Sequence, residues 1–125
     1  LGCSDGSIAA RLQALGHEVV GIDIEEHPGV HEKVDVFHRA NLDEGLPASL
    51  DTSFDVVLCA DVIEHVRDPE SLLIEIKSVL ASSGNVVVSI PNFGHWYPRT
   101  KTVFGMFDYD SRGILDATHM RFFTC

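Results

Sequence analysis

Short apolar runs that alternate with amphipathic segments are the feature that most constrains the fold of this chain. The runs VVGIDI at 19–24, FDVVLC at 54–59 and VVVSI at 86–90 are apolar on successive residues, and 34–38 is a weaker one. Strands of this kind are buried on both faces, which is typical of a parallel sheet covered by helices. The sequence therefore predicts an α/β fold with a doubly wound parallel sheet.

Two helices are predicted between the strands. Residues 8–15 carry apolar side chains at helical spacing, and Gly16 follows where a helix commonly ends. A second helix is expected to begin after Asp68 as the N-cap, with Pro69 at its first position, and to end at residues 83–85. In such sheets ligands bind at the carboxyl ends of the strands, so we look for the chemistry there.

The last segment, 92–125, differs from the rest because it is rich in aromatic residues interrupted by Gly and Pro. Either it forms an acceptor-side insertion or lid, or it is an irregular excursion whose aromatics pack into the core. We treat 1–125 as a single domain. The chain begins at Leu1 without Met and ends at FFTC without a polar tail, so we expect a sheet that is truncated at both ends.

Composition limits the partners of the chain. Nine Lys and Arg against nineteen Asp and Glu give a formal net charge of −10, which excludes a general attraction to nucleic acid or anionic membranes. No apolar run reaches the roughly 18–20 residues of a membrane span, and no signal peptide is visible. Cys3, Cys59 and Cys125 form no CxxC pair, which fits structural or cofactor-adjacent thiols in a reducing cytoplasm. We therefore expect a cytoplasmic protein, and its oligomeric state stays open.

The segment Gly2-Cys3-Ser4-Asp5-Gly6 lies directly before the first predicted helix. Glycines there let a ligand approach the backbone, and the helix N-terminus offers free N–H groups. The spacing fits the dinucleotide fingerprint G-x-G-x-x-G poorly and the tighter turn G-x-G-x-G better. A plain strand-to-helix turn is the alternative for this motif alone.

An acidic residue ends the next predicted strand. Asp23 follows the glycine turn by about 20 residues, the distance at which a carboxylate can accept hydrogen bonds from both hydroxyls of a ribose. Ile24 can then cover one face of an adenine ring. A capping or surface role is the alternative for Asp23.

Five segments in register carry a resemblance to a known family. LGCSDG, VVGIDI, ANLDEGLP, SFDVVLCADVIEHVRDPESLL and GNVVVSIPN together resemble a class I S-adenosylmethionine-dependent methyltransferase. In the tail, SIPNFGHWYPR resembles the methionine-biosynthesis-type group, and FGMFDYDSRGILDATHMRFFT is similar to methyltransferases found beside bacterial surface-polysaccharide glycosyltransferases. The resemblance implies a Rossmann-like fold, S-adenosyl-L-methionine as cofactor, and methyl transfer to an oxygen or nitrogen of a small-molecule or sugar acceptor.

The resemblance also implies which residues contact the cofactor. They are Gly2, Cys3, Ser4 and Gly6 in the glycine turn, Asp23 at the ribose, Ile24, Asn41 and Leu42 around the adenine, Cys59 and Ala60 beside the sulfonium, and His65 of the acidic–His pair Glu64-His65. Two positions depart from the family pattern. Ser4 stands where the family has its middle glycine, and Asn41 where it more often has Asp.

The acceptor side is less defined by sequence. A base is needed only if the acceptor must lose a proton, and histidine suits that role near neutral pH. His95 and His119 are the predicted catalytic or acceptor-contacting residues, with Asp61 and Tyr109 as alternatives.

No metal site is predicted. Only His27 and His31 have a helical metal-pair spacing, and Pro28 and Gly29 lie between them. The resemblance leaves two competing functions. One is an NAD-dependent oxidoreductase or epimerase, which the glycine spacing disfavours. The other is a non-catalytic partner subunit with a methyltransferase-like fold.

Overall fold

The computed structural model describes residues 1–50, 53–106, 108–109 and 113–124, so Cys125 and part of the acidic segment near 110 lie outside the described residues. The elements follow one another in the order α1 (Ser7–Ala14), β1 (Val20–Asp23), β2 (Val36–Arg39), β3 (Phe54–Ala60), α2 (Pro69–Val79), β4 (Leu80–Ser89) and α3 (Trp96–Val103). Short 3₁₀ turns lie at Val30–Glu32, Leu42–Glu44 and Ile63–His65. No helix in the described part of the chain is long and apolar enough to cross a bilayer.

The strands form two parallel pairs. β1 pairs with β2, and β3 pairs with β4, with Asp23 opposite Arg39 and Ala60 opposite Ser89 at the carboxyl ends. The first residues join these pairs, because the Leu1 amino group donates to Leu58 O at 2.7 Å and Cys3 N donates to Ile22 O at 3.2 Å. The α/β fold with parallel strands is confirmed, and within each pair the carboxyl ends lie side by side.

Helix α2 supplies much of the core. Asp68 is its N-cap, accepting from Ser71 N at 3.1 Å, and Pro69 occupies its first turn, as predicted. Leu72 and Ile76, four residues apart on one face of α2, are 2% and 0% exposed. Burying each contributes roughly 1.5–3 kcal/mol. The buried cluster comprises these two residues with Val57, Cys59, Val62, Ile63 and Val66.

Two expectations about α2 and β4 are wrong. The helix ends at Val79 rather than at 83–85, because Leu80 already pairs with Phe54 and the next residues form an irregular stretch before Asn85 pairs with Val56. The second wrong expectation is that β4 is buried on both faces. Val86, Val87 and Val88 in the middle of β4 are 37%, 50% and 42% exposed, so both faces of this strand are open in the part of the chain that the structure describes.

The tail combines α3 with irregular structure and returns to the sheet. Phe93 N donates to Phe123 O at 2.7 Å, beside an isolated parallel bridge between Asn92 and Phe123. Phe123 packs against the core cluster, whereas Trp96 and Phe104 are 66% and 75% exposed. Packing into the core therefore does not explain most of the large tail aromatics that are described.

Candidate functional site

A tight turn over residues 2–6 leads from the joining segment into α1. Gly2, Ser4 and Gly6 have φ angles of 61°, 48° and 74°, all in the left-handed region. A β-carbon at Gly2 would lie 2.5 Å from Val62 Cγ2, so no side chain fits there. At Gly2 the turn therefore forms a cradle with room only for backbone, and it leads directly into the N-terminus of α1.

Ser4 is one of the two residues that depart from the pattern implied by the resemblance. Its left-handed conformation costs a residue with a β-carbon roughly 1–2 kcal/mol relative to glycine. Its backbone N–H donates to Asp23 Oδ2 at 2.7 Å, a charge-assisted hydrogen bond that offsets this cost. The glycine turn and the end of β1 are thereby tied together.

Asp23 lies at the carboxyl end of β1 with both oxygens engaged by backbone. Oδ2 accepts from Ser4 N, and Oδ1 accepts from Glu25 N at 3.0 Å. A carboxylate has about four lone-pair sites, so each oxygen can accept one further hydrogen bond. The side chain is half-buried and held in place, which suits a bidentate acceptor for two neighbouring hydroxyls.

The predicted adenine-side residues divide into two kinds. Ile24 is 57% exposed beside Asp23, an apolar surface that a ring could cover. Asn41 instead stabilises its own turn, because its Oδ1 accepts from Asp43 N at 3.1 Å and its Nδ2 donates to Glu44 Oε1 at 3.2 Å. Leu42 is half-buried against the core cluster.

The two described thiols are packing groups. Cys59 is 0% exposed, and burial raises the pKa of its thiol. Burial, followed by the charge of Asp23, also raises the pKa of Cys3. Both stay protonated at neutral pH, so neither acts as a nucleophile. Ala60 follows Cys59 at the end of β3, opposite Ser89.

Beyond the end of β3, the turn Ile63–His65 meets the tail. Glu64 is 0% exposed, and its Oε1 lies 4.0 Å from His119 Nε2. The rings of His65 and His119 meet edge to face with centroids 4.8 Å apart. Met120 N donates to Glu64 O at 2.9 Å, so the tail is fastened to this turn through its backbone.

His95, the other predicted catalytic residue, lies elsewhere in the tail. It is the N-cap of α3, with Nδ1 accepting from Tyr97 N at 3.4 Å, and its ring lies 5.5 Å from that of Trp96. The structure brings His119 together with His65, and none of the contacts of that pair includes His95.

Sequence reasoning missed the partners that close this site. The sequence analysis names Glu64 only as part of a pair with His65, although the apolar residues Val62, Ile63 and Val66 around it are a signal for a buried acid. Arg121 donates to Val66 O and Arg67 O, each at 2.7 Å, and so fixes the tail on the turn. Its position two residues after His119 carried no sign of this role.

The remaining sequence candidates do not converge. His27 and His31 lie beside different glutamates, at 3.9 Å from Glu25 and 3.0 Å from Glu26. Sequence reasoning also missed that Tyr97 and Lys101 on α3 have the Tyr-x-x-x-Lys spacing found in some oxidoreductases. However, the Lys101 ammonium lies 5.5 Å from the centre of the Tyr97 ring, over its face.

Comparison with known proteins places this geometry in context. A family model described as a methyltransferase domain matches residues 1–88, which include the glycine turn, Asp23 and the Glu64-His65 pair.

Curated relatives extend the similarity into the tail. Proteins named ubiquinone biosynthesis O-methyltransferase are 36% identical over 80 residues in Hahella chejuensis (58% of this chain, 34% of that protein) and 31% identical over 99 residues in Pseudomonas entomophila (74% and 43%). The protein of the same name in Xanthomonas oryzae pv. oryzae is 28% identical over 130 aligned positions, covering 95% of this chain and 52% of its own length. The chain thus spans from about a third to half the length of these relatives.

Proposed function

We propose, since the chain belongs to the class I S-adenosylmethionine-dependent methyltransferases, that it binds S-adenosylmethionine at the carboxyl edge of its strands and methylates a hydroxyl oxygen of a small molecule. The observation that carries the proposal is the hydrogen bond from Ser4 N to Asp23 Oδ2, which unites the two parts of a nucleoside-binding site. A sugar acceptor and a nitrogen nucleophile remain within the same class of reaction.

The residues present fit this cofactor. At Gly2 the cradle excludes a side chain, which leaves backbone groups to meet the amino-acid portion. Asp23 retains acceptor capacity on both oxygens for the ribose hydroxyls, and the exposed face of Ile24 is next to it. Ser4 supports the site through its backbone, so its hydroxyl is not required.

Catalysis of this kind needs alignment more than acid–base chemistry. When bound, S-adenosylmethionine supplies an electrophilic methyl carbon whose bond to sulfur breaks as the acceptor oxygen bonds to it. The protein holds the acceptor in line and keeps water away. A hydroxyl acceptor must also lose its proton, and His119 and His95 are the proposed residues for contact with that group.

The relatives favour an oxygen acceptor. Their name describes O-methylation in ubiquinone biosynthesis, and the similarity extends over the tail in the Xanthomonas protein. The tail also forms a depression near its docking point on the sheet, lined by Phe93, Gly94, Arg99, Thr102, Val103 and Thr124. A mainly apolar surface with one guanidinium suits an aromatic or hydrophobic acceptor.

Calorimetric titration of the full-length protein with S-adenosylhomocysteine tests the proposal, with NADH as the control ligand. We expect binding of S-adenosylhomocysteine only. Asp23→Ala should weaken it at least 100-fold, or about 2.7 kcal/mol, because the ribose hydroxyls lose their acceptor. Asp35→Ala is the matched control, since Asp35 accepts from Val19 N at 2.7 Å at the other end of β1.

Each outcome has a clear meaning. Tight binding that survives Asp23→Ala would contradict the assignment of Asp23. Binding of NADH in preference to S-adenosylhomocysteine would favour an oxidoreductase. Binding of S-adenosylhomocysteine without methyl transfer to any of a panel of phenols and sugars would favour a non-catalytic partner subunit.

A further inference from the structure

We propose that Glu64, His65 and His119 bind a divalent transition-metal ion at the carboxyl end of β3. One ligand atom from each of the three side chains lies within 4.8 Å of the other two. Glu64 and His65 follow the end of β3, and His119 comes from the tail. The site therefore forms only when the tail is docked on the turn Ile63–His65.

The unsatisfied carboxylate of Glu64 is the first observation behind this site. Its side chain is 1% exposed, and neither oxygen has a hydrogen-bond partner among the described residues. Across the site, His119 Nε2 lies 4.0 Å from Glu64 Oε1, which is too long for a hydrogen bond. A buried carboxylate without a partner is costly, and a cation between these groups would satisfy it.

The orientation of the two imidazoles is the second, independent observation. His119 Nδ1 lies 3.3 Å from Ile114 O, and His65 Nδ1 lies 3.2 Å from Thr118 O. Carbonyl oxygens only accept, so in both rings Nδ1 carries the proton and Nε2 keeps its lone pair. The Thr118 hydroxyl cannot reverse this at His65, because it donates to Asp116 Oδ1 at 2.6 Å.

This is the arrangement that metal-binding histidines use. A ligating imidazole usually donates its other N–H to a backbone carbonyl, which fixes the tautomer and aims the free nitrogen at the ion. At His119 the free nitrogen is the one that faces Glu64. The rings are thus prepared by the backbone of residues 114–118.

The ligand set indicates the kind of ion. Two imidazoles and one carboxylate with positions left open suit Zn²⁺, Mn²⁺ or Fe²⁺, whereas Mg²⁺ and Ca²⁺ prefer oxygen ligands throughout. Tetrahedral Zn²⁺ with bonds of about 2.0–2.1 Å holds its ligand atoms about 3.4 Å apart. The Glu64–His119 separation of 4.0 Å would close by about 0.6 Å, and a separation of 4.8 Å, the largest in the set, by about 1.4 Å, changes that side-chain rotation can supply.

A metal here would serve the acceptor, a role that rests on the proposed function. Its open position can take the acceptor hydroxyl, and ligation lowers the pKa of that hydroxyl as it does for bound water. The proton then passes to solvent water. His119 would in that case act as a ligand and not as a general base.

Titration of Zn²⁺ into the chelator-treated, full-length protein tests the site, with a competing chelator to set the free concentration. We expect one ion per chain. X-ray absorption spectra at the zinc edge should show two imidazole nitrogens and an oxygen as ligands. Glu64→Gln and His119→Gln should each weaken binding 10- to 100-fold or more. The control is His31→Gln, an exposed histidine 3.0 Å from Glu26, which should leave binding unchanged.

The wild-type measurements need no variant to fold. Absence of stoichiometric Zn²⁺ binding, a spectrum without two imidazoles, or equal loss in His31→Gln would overturn the site. S-adenosylhomocysteine is titrated into the same preparations to keep the two proposals apart. A protein that binds S-adenosylhomocysteine but does not bind Zn²⁺ refutes only the metal site. A protein that binds Zn²⁺ but does not bind S-adenosylhomocysteine refutes only the proposed function.

Discussion

Two carboxylates near the carboxyl ends of β1 and β3 differ in their burial and in their hydrogen bonds. At the end of β1, Asp23 is half-buried and accepts two backbone N–H groups within 3.0 Å. Beyond the end of β3, Glu64 is fully buried and accepts none. At the first end both carboxylate oxygens already accept a hydrogen bond. At the second end two imidazoles lie beside a carboxylate that has no hydrogen-bond donor among the described residues.

This contrast shows two ways in which the halves of the proposed site are held in place. Backbone N–H groups preorganise the proposed nucleoside side, since Ser4 in the turn and Asp23 at the strand end are 19 residues apart and bonded to each other. Residues more than 50 positions apart form the proposed acceptor side, since Thr118 and Met120 contact His65 and Glu64. We expect substitutions at the first end to change cofactor affinity, and those at the second end to respond to metal.

Gly2→Ala should give the largest loss of stability. The new methyl group would meet Val62 Cγ2 at 2.5 Å, and the residue would keep a φ of 61°. Overpacking and the left-handed conformation together should lower the free energy of unfolding by about 2–4 kcal/mol, measured by urea denaturation.

The matched control separates these two causes. Gly16 also has a left-handed φ, of 88°, but a β-carbon there would meet nothing within 4 Å. Gly16→Ala should therefore cost only about 1–2 kcal/mol. Equal losses for the two variants would mean that the cradle is not closely packed.

Glu64→Leu should act in the opposite direction to Asp23→Leu in metal-free protein. Removing a buried, unpartnered carboxylate should raise the free energy of unfolding by about 1–3 kcal/mol. Asp23→Leu should lower it by a similar amount, because Ser4 N and Glu25 N lose their acceptor.

Thermal unfolding in the presence of a chelator measures both effects. Addition of Zn²⁺ should then raise the Tm of the wild-type protein and leave that of Glu64→Leu unchanged. A Glu64→Leu variant that is as destabilised as Asp23→Leu without metal would show that the two ends are not different.

Ser4→Gly should be a smaller change at the first end. Glycine adopts a φ of 48° without the steric cost that Ser4 bears, although it loses more entropy on folding. The backbone N–H to Asp23 is retained, so we expect a gain of up to about 1 kcal/mol and unchanged affinity for S-adenosylhomocysteine. A large loss of affinity would assign the Ser4 hydroxyl a direct contact.

The smallest effect concerns acid sensitivity away from the site. Hydrogen bonds from the Ser71 backbone N–H and then its hydroxyl hold the pKa of Asp68 below its usual value of 3.8. A lowered folded-state pKa contributes stability above about pH 3.8, and this is lost as the pH falls through the folded value.

Ser71→Ala removes one of these hydrogen bonds and shows the effect. Its loss of stability relative to the wild type should be present at pH 6 and shrink below about pH 4. Ser78→Ala is the control on the same helix, since Ser78 donates to the carbonyl of Glu75. Its effect should not change with pH.

The sequence predicts those parts of the molecule that local chemistry determines. Asp68 and Pro69 start α2 because a capping carboxylate and a fixed φ act within one turn. Asp23 falls at a strand end because the apolar run stops there. The sequence also predicts the glycine turn and a ribose-binding role for Asp23. The structure joins the two through the hydrogen bond from Ser4 N to Asp23 Oδ2, and the ribose-binding role stays a prediction.

Long-range contacts account for what the sequence did not predict. The end of α2 depends on Leu80 pairing with Phe54, and no local signal near 80 indicates that register. The approach of His119 to Glu64 depends on how the tail docks. Periodicity also predicted burial of β4 on both faces, but burial depends on what covers a strand, and Val87 is exposed here.

A crystal structure of the full-length protein with S-adenosylhomocysteine would test the central claim most directly. We predict density for the nucleoside at the carboxyl edge, with both ribose hydroxyls within hydrogen-bond distance of Asp23 and the amino-acid portion against the Gly2–Gly6 turn. A nucleoside bound away from Asp23, or none at a concentration well above the calorimetric Kd, would contradict this function.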